Sequence, residues 1–359
     1  MAGLYIHIPF CKSRCKYCDF YSTTLLERRQ EYVEAIAAEW KELRDRWKQI
    51  DTIYLGGGTP SVLEPDDILR LLAALPVRTA HEVTLEANPG DLNEHLLHSL
   101  RQAGVNRLSI GCQTFNDRLL SVIGRRHTAQ QAREGVYMAQ QSGFCNISID
   151  LIYGLPGQTL QHWIADIEQA LALKVQHISC YCLSYEAGTP MTQSLERGEI
   201  KELDEELLRD MYDTLCRYLQ DAGYEHYEVS NFALQGYRSR HNSSYWNHVP
   251  YLGLGAGAHS YDGQATRWAN PCDINAYIEG VMAHNLQRDI EHLNEEQQRI
   301  ERIMLGLRTQ EGIHENDIVG RDTEVQQRIT NGELTRHNGK LVVTHKGLHV
   351  LNNIIENLI

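Results

Sequence analysis

Three cysteines near the amino terminus, Cys11, Cys15 and Cys18, have the spacing C-x3-C-x2-C. This spacing places three thiolates on one short loop, where they can ligate a single metal centre. A four-iron cluster has four corners, so three cysteines leave one iron without a protein ligand and open to a bound molecule. A structural zinc site needs a fourth ligand. His7 is the candidate for it, but strand alternation places His7 inside the predicted sheet, so we expect an iron–sulfur cluster, with zinc as the alternative.

Glycine-rich and polar segments follow the predicted strands at their carboxyl ends. These segments are Gly56–Pro60, Glu86–Pro89, Gly111–Gln113, Asp150 and Gly154–Gly157. The carboxyl ends of the strands carry the active site in a parallel barrel, so we expect the segments to converge around the cysteine loop. Gly56–Gly58 let a ligand approach the backbone, whose carbonyl groups can accept hydrogen bonds from an ammonium group. Glu86 is a candidate partner for a ribose or an ammonium group.

The elements that must position these residues alternate between short apolar runs and amphipathic helices through the first two-thirds of the chain. Six βα units are predicted, with strands at Leu4–Ile8, Thr52–Leu55, Glu82–Glu86, Arg107–Ile110, Asn146–Ile152 and His177–Leu183. Repeated βα units indicate an α/β fold with a parallel sheet. A closed barrel has eight such units, so six predict a partial (β/α)6 barrel with an open lateral cleft.

The carboxyl-terminal part predicts a smaller α+β module. Apolar residues recur at helical spacing between Ile300 and Leu307, and Asn338-Gly339 between two apolar runs is a strong hairpin signal. Helices, a hairpin and a final helix are typical of a winged-helix fold. The predicted domains are a barrel at 1–225, a connecting segment at 226–290 and a winged-helix-like domain at 291–359. Gly253–Ala258 is assigned to no element.

The composition excludes several classes of protein. The 359 residues carry a formal net charge of −13, which would repel a nucleic-acid backbone. No apolar run approaches the roughly 20 residues that a membrane-spanning helix needs. Nine cysteines, an odd number, and the absence of an export signal at Met1–Pro9 argue against a disulfide framework. We therefore expect a cytoplasmic protein that does not bind nucleic acid.

The cysteine loop and the first glycine-rich segment together resemble the signature of the radical SAM superfamily. Cys11, Cys15 and Cys18 match its cluster loop, Tyr17 is the aromatic residue before the last cysteine, and Gly56–Pro60 is similar to its glycine-rich segment. The resemblance implies a 4Fe-4S cluster whose open iron binds S-adenosylmethionine. An electron from the cluster then cleaves this cofactor to a 5′-deoxyadenosyl radical.

Over its whole length the chain is similar to the oxygen-independent coproporphyrinogen III dehydrogenase family. This resemblance implies S-adenosylmethionine-binding positions at Tyr5, Gly57, Gly58, Thr59, Glu86, Gln113, Arg125 and Asp150. Some of these positions serve a second S-adenosylmethionine in the dehydrogenases. Two features depart from the dehydrogenases: Phe20 occupies the position of a fourth cysteine, and no long segment precedes Tyr5.

Both departures resemble the haem chaperone branch of this family. That branch has the motif H-N-x-x-Y-W, which is present here from His241 to Trp246. The resemblance implies haem binding by His241, Tyr245 and Trp246. A histidine can ligate haem iron, and aromatic rings can pack on a porphyrin. The expected function is therefore that of a haem chaperone that transfers haem to acceptor haemoproteins, with respiratory enzymes as the acceptors that the family implies.

Two other functions remain as alternatives. The first is the dehydrogenase itself, which converts two propionates of coproporphyrinogen III to vinyl groups with loss of carbon dioxide. The second is a zinc-stabilised α/β interaction protein. Whether the protein is an enzyme is left open: reductive cleavage of S-adenosylmethionine fits the family, whereas coproporphyrinogen dehydrogenase activity is not expected. Peripheral membrane association and a homodimer are also left open.

Overall fold

Six parallel strands form the centre of one large sheet in the computed structural model, which describes residues 1–359. The strands are β1 (Ala2–Ile8), β2 (Ile50–Gly57), β3 (Glu82–Ala87), β4 (Arg107–Gln113), β5 (Ile147–Tyr153) and β6 (His177–Cys182). They lie side by side in chain order, and each pairs in parallel with the next. Leu4, Ile6 and Ile8 alternate along β1 and are fully buried in the main core. The predicted partial α/β barrel is confirmed.

Helices follow these strands, as the βα pattern predicts. They are α1 (Arg29–Leu43), α2 (Pro65–Ala74), α3 (Glu94–Gln102), α4 (Asp117–Val122), α5 (Ala129–Gln141), α6 (Leu160–Ala172), α7 (Pro190–Glu196) and α8 (Glu205–Asp221). Short 3-10 helices lie at Leu26–Arg28, Pro60–Val62, Val77–Thr79, Pro89–Asp91 and Glu315–Asp317. On α1 an apolar stripe with Val33, Ile36 and Trp40 is buried in the main core. Burial of such stripes, rather than helix propensity, holds these helices on the sheet.

The sheet is wider than predicted, because residues 225–292 extend it at both sides. This region contains β7 (Glu225–Glu228), β8 (Asn231–Ala233), α9 (Arg240–Trp246), β9 (Tyr251–Leu254), β10 (His259–Tyr261), β11 (Thr266–Ala269), α10 (Ile274–Met282) and β12 (Asp289–His292). The full strand order is β12-β11-β10-β9-β1-β2-β3-β4-β5-β6-β8-β7. The stretch Gly253–Ala258, assigned to no element from the sequence, supplies the end of β9, which pairs in parallel with β1.

A separate module at the carboxyl terminus has its own small sheet and core. Its elements are α11 (Glu295–Gly306), β13 (Ile313–His314), α12 (Asp322–Thr330), β14 (Leu334–His337), β15 (Lys340–Val343), α13 (His345–Leu348) and α14 (Leu351–Leu358). The sheet order is β13-β15-β14, all antiparallel. Asn338 and Gly339 have φ values of 50° and 76°, as the predicted hairpin turn requires. The predicted α+β module is confirmed, and the domain boundaries at 225 and 290 stay predictions.

Candidate cluster and cofactor site

The cysteine loop follows β1 and is held at both ends by backbone pairing. The Cys11 amide donates to the Thr23 carbonyl at 2.9 Å, and the Thr23 amide donates to the Pro9 carbonyl at 2.7 Å. Within the loop, the Lys12 ammonium pairs with the buried Asp91 carboxylate at 3.0 Å. The loop therefore has a defined shape without any disulfide, and all nine cysteines are free.

The loop opens onto a cavity of about 570 Å³ at the carboxyl ends of the parallel strands. Its lining includes Cys11, Cys15, Cys18, Gly57, Gly58, Thr59, Glu86, Gln113, Arg125 and Asp150. These residues come from the loop after β1, from β2 to β5, and from the segments that follow β2 and β4. The structure therefore brings together all three cysteines and seven of the eight residues predicted to bind S-adenosylmethionine.

The glycine-rich segment passes directly against the start of the cysteine loop. The Gly58 amide donates to the Ile8 carbonyl, and the Thr59 amide donates to the Phe10 carbonyl, both at 2.8 Å. A Cβ atom on Gly58 would lie 2.7 Å from the Pro9 carbonyl carbon, and backbone atoms there cannot move aside. Only glycine therefore allows this close approach, which sets the distance between the segment and Cys11.

Glu86 is a partly buried carboxyl group that lines the cavity. It accepts hydrogen bonds from the Tyr54 hydroxyl at 2.8 Å and from the Gly57 amide at 3.1 Å. Burial raises the pKa of Glu86 to about 7, because desolvation outweighs these two hydrogen bonds, which lower it. The group therefore changes protonation near neutral pH, and its ionised form can accept a hydrogen bond from an amino group.

Asp150 and Arg125 supply opposite charges to the same cavity. Asp150 accepts a hydrogen bond from the Ser109 hydroxyl at 3.2 Å, and burial raises the pKa of its carboxyl group. Arg125 donates to the Cys15 sulfur at 3.4 Å and to the Gly111 carbonyl at 2.7 Å. The Arg125 Nε atom is buried without a hydrogen-bond partner. A polar group of a bound molecule can satisfy such an atom.

Burial favours the protonated thiol at Cys11 and Cys18. Burial raises the pKa of Cys11 and raises that of Cys18 to about 11. A cluster requires thiolates, so its binding must release protons from these residues. A zinc site completed by His7 is not supported by the geometry. The two ring nitrogens of His7 are already hydrogen-bonded, to the Tyr5 hydroxyl at 3.0 Å and to the Tyr21 carbonyl at 2.9 Å.

Tyr5 is the predicted cofactor residue that does not line the cavity. Its ring stacks on Tyr54 at 6.2 Å and on His241 at 6.5 Å, in an aromatic group inside the barrel. The cavity instead includes residues that sequence reasoning missed, among them Tyr181, Cys182 and Leu183. The signal for these three was available, because they lie at the carboxyl end of the sixth strand, where the barrel rule places site residues.

His241 lies on α9, near the amino ends of the strands and away from the cysteine loop. Its ring nitrogens are hydrogen-bonded to the Thr52 hydroxyl and the Tyr245 hydroxyl, both at 2.8 Å, and the residue is 1% exposed. Burial lowers the pKa of His241 to about 3. Neither nitrogen is free for haem iron in this conformation, so the geometry does not fit direct ligation. Ligation by His241 stays a prediction, and it requires rearrangement of α9.

The other two predicted haem-binding residues lie on the same short helix. Tyr245 packs edge-on against His241 and against Tyr251. The Trp246 side chain is partly buried, and its indole N–H is buried without a partner. The helix begins where the Glu82 carboxylate accepts hydrogen bonds from the backbone amides of Arg240 and His241, at 3.0 and 2.9 Å.

No helix of the chain combines the length and the apolar character that spanning a bilayer requires.

Comparisons with known proteins agree with this fold. A family model described as the Radical SAM superfamily matches residues 5–170. The solved structure of coproporphyrinogen III oxidase (HemN) from Escherichia coli, described as a radical SAM enzyme, aligns with a TM-score of 0.83. The alignment covers 99% of this chain and 89% of that one at 22% identity, so it supports the fold alone. The fold, the three-cysteine loop and the family match define a radical SAM protein.

Curated relatives place the chain more narrowly. The protein named "Heme chaperone HemW" from Lactococcus lactis is 36% identical over 98% of this chain and 96% of its own length. The proteins of the same name from Bacillus subtilis and Escherichia coli are 38% and 35% identical, over 87% and 80% of this chain. The chain belongs to the HemW family of haem chaperones. The predicted resemblance is therefore confirmed.

Proposed function

We propose that this protein binds haem and transfers it to acceptor haemoproteins, and that it does so on a scaffold that holds a 4Fe-4S cluster and S-adenosylmethionine. The observation that carries the cofactor part is the single cavity shared by the three cysteines and seven predicted cofactor residues. The haem part is supported by near full-length similarity to proteins named heme chaperones.

The residues of the cavity fit the two cofactors in their chemistry. Cys11, Cys15 and Cys18 are the thiolate ligands, and three ligands leave one iron for the amino-acid end of S-adenosylmethionine. Glu86 and the backbone of Gly57 and Gly58 are acceptors for its amino group. When bound together, the two cofactors supply reductive cleavage of a sulfonium bond.

The haem site is proposed at His241, Tyr245 and Trp246. Because both ring nitrogens of His241 are hydrogen-bonded, we expect haem association to be limited by the movement of α9. Three aromatic or imidazole side chains on one short helix offer an axial ligand and faces for a porphyrin.

Haem titration of the His241→Ala variant tests this site. We expect weaker haem retention and a changed haem absorption spectrum, with unchanged iron and sulfide content of the reconstituted cluster. The exposed His81→Ala variant is the control, because that imidazole lies on the surface and pairs only with Asp51. An unchanged haem titration in His241→Ala would remove the assignment.

The alternative function, coproporphyrinogen dehydrogenase, is disfavoured by Phe20. This residue stands where the dehydrogenases have a fourth cysteine, and its side chain is 68% exposed at the cavity. Anaerobically reconstituted protein, incubated with coproporphyrinogen III, reductant and S-adenosylmethionine, separates the two functions. We expect no protoporphyrinogen, and robust formation of it would contradict the chaperone proposal.

The proposed location is the cytoplasm, where the acceptors would be haemoproteins of the respiratory system. Nine free cysteines are compatible with a reducing compartment. The net charge of −13 makes nucleic acid an unsuitable partner. Transfer is tested by mixing haem-loaded protein with an apo-haemoprotein and following the acceptor's haem spectrum, with free haem as the control.

A further inference from the structure

Two histidines of the carboxyl-terminal module converge on one carboxylate of the barrel. The Nε2 atom of His345 lies 2.8 Å from Asp213 Oδ1, and the Nε2 atom of His349 lies 2.9 Å from the same oxygen. Asp213 belongs to α8, whereas His345 begins α13 and His349 follows its last residue. The three side chains therefore lie across the junction between the two parts of the molecule, outside the cavity described above.

The three ligand atoms have the arrangement of a metal site. The imidazole nitrogens and the carboxylate oxygen all lie within 4.8 Å of one another. When each ligand atom lies about 2.0–2.2 Å from one ion, the ligand atoms are separated from one another by distances similar to those found here. Residues four apart on a helix project from the same face, which is how paired histidines commonly reach one metal ion. The carboxylate from a second element completes a set of three.

This cluster differs from the ordinary histidine–carboxylate pairs of the same chain. His81 pairs with Asp51, and His284 pairs with Glu42, each as a single imidazole on a single carboxylate. The Asp213 carboxylate pairs with two imidazoles and with no lysine or arginine side chain. His349 is also the most shielded of the paired histidines, with 19% of its side chain exposed.

Aromatic packing fixes the orientation of both imidazoles. The Tyr212 ring is parallel to the His345 ring, with an interplanar angle of 1° and a centroid distance of 6.2 Å. It meets the His349 ring nearly edge-on at 5.9 Å. Tyr212 is the neighbour of Asp213 on α8, so the same turn of helix supplies the carboxylate and orients the two histidines. Such surrounding contacts orient metal ligands in known sites.

We propose that Asp213, His345 and His349 bind a divalent transition-metal ion of the zinc class, which joins the barrel to the carboxyl-terminal module. Two imidazoles select transition ions over magnesium or calcium, which prefer oxygen ligands. Haem iron has two axial positions, so three converging ligands suit a bare ion better. Three protein ligands leave one tetrahedral position for water or an anionic group.

The proposed metal site borders a cleft of about 590 Å³ between the barrel and the module. His349 lines this cleft, together with Tyr212, Leu208 and Arg209 from α8. A bound ion would fix His349 to Asp213 and so hold one wall of the cleft against the other. This inference concerns the junction and does not depend on the haem site proposed above.

Cobalt(II) titration of the anaerobically reconstituted protein tests the proposal, because the cluster then occupies the cysteine loop. We expect one equivalent to bind with weak visible bands typical of nitrogen and oxygen ligands, and without thiolate-to-cobalt charge transfer. The variants His349→Ala and Asp213→Asn are each expected to lower the affinity at least tenfold. His81→Ala is the matched control and should bind as the unmodified protein does.

A thermal melt with zinc(II) is the second measurement. We expect zinc to raise the Tm of the unmodified protein and of His81→Ala, but not that of Asp213→Asn, since an ion that binds only the folded state stabilises it. Asp213→Asn preserves the shape of the side chain, so it guards against a variant that fails to fold. Cobalt binding that persists in both variants, or that shows only charge transfer from thiolates, would overturn the proposal.

Discussion

Glu86 connects the barrel interior to the cofactor cavity through a hydrogen bond from Tyr54, whose ring stacks on His241 at 5.1 Å. Its pKa of about 7 makes the proposed binding of S-adenosylmethionine dependent on pH. Below pH 7 the carboxyl group is protonated and is a poorer acceptor for an amino group. We predict that the affinity of the reconstituted protein falls about fivefold from pH 8 to pH 6, as an ionic hydrogen bond becomes a neutral one. Isothermal titration calorimetry measures this change.

Two variants separate Glu86 from other titrating groups. Glu86→Gln removes the ionisation, so the affinity should be weak and should depend less on pH. Tyr54→Phe removes a hydrogen bond that lowers the pKa of Glu86, so the midpoint of the pH dependence should move upward. If Glu86→Gln and the unmodified protein show the same pH dependence of affinity, the dependence arises from a group other than Glu86.

At the residue scale, the sequence predicted the cavity well because the barrel rule fixes where strand ends meet. Cys11, Glu86 and Gln113 are far apart along the chain, and each lies near or beyond the carboxyl end of a strand, whereas Asp150 lies in the middle of β5 and still lines the cavity. The cofactor role of Tyr5 was implied by the family resemblance, and a sequence match does not show that its ring packs on Tyr54 and His241 away from the cavity. The hydrogen bonds of His241 are invisible in the sequence, since Thr52 lies on a distant strand.

Among the elements, the β14–β15 hairpin depends on two residues with positive φ. A Cβ atom on Gly339 would meet no atom within 4 Å, so the cost of Gly339→Ala comes from backbone conformation alone. We predict that the variant destabilises the carboxyl-terminal module by about 1 kcal/mol, the usual cost of a left-handed residue with a side chain. Hydrogen exchange of β14 and β15 amides measures it.

The neighbouring position supplies the control for this prediction. Asn338 also has a positive φ, of 50°, so Asn338→Gly should leave the hairpin nearly unchanged. Equal protection of the β14 and β15 amides in Gly339→Ala and in the unmodified protein would contradict the assignment of strain to the turn.

The sequence predicted β1–β6 and this hairpin, but not β7–β12. The first six strands are apolar runs that are buried along most of their length, and the hairpin has its Asn-Gly turn. By contrast, β8 and β10 have three residues each, and β12 is exposed at all four positions. Strands this short do not show the apolar run or the alternation of apolar and polar residues by which a strand is predicted from sequence. They form because partners distant in sequence, such as β1 for β9, offer free backbone groups.

The whole molecule is held together by three hydrophobic clusters of unequal size and by buried polar contacts. The main core has 59 buried residues, the carboxyl-terminal core has 10, and a small cluster around Leu119 and Ile152 has 5. Glu39 of α1, 1% exposed, ties residues 255–288 to the barrel. It accepts hydrogen bonds from the Gly255 amide, the Asn270 amide, the Tyr277 hydroxyl and the Arg288 guanidinium.

Removal of this carboxylate should destabilise the whole fold. We predict that Glu39→Ala lowers the free energy of unfolding by about 3–5 kcal/mol, because the Arg288 charge and the other donors lose their buried partner. Urea unfolding followed by circular dichroism measures it. Glu42→Ala is the control on the same helix, since its exposed pair with His284 should contribute less than about 1 kcal/mol. Similar losses in both variants would contradict the role of burial.

The outermost strand of the large sheet, β12, leaves one row of backbone groups without a neighbouring strand. Such a row invites pairing with another polypeptide and, from there, aggregation. Here the free edge of β12 carries Asp289 and Glu291, both exposed. A second copy of the chain that paired through the same edge would bring like charges together. These charges should therefore oppose fibre-like assembly through β12. Neutralising the two carboxylates should make concentrated solutions more prone to turbidity.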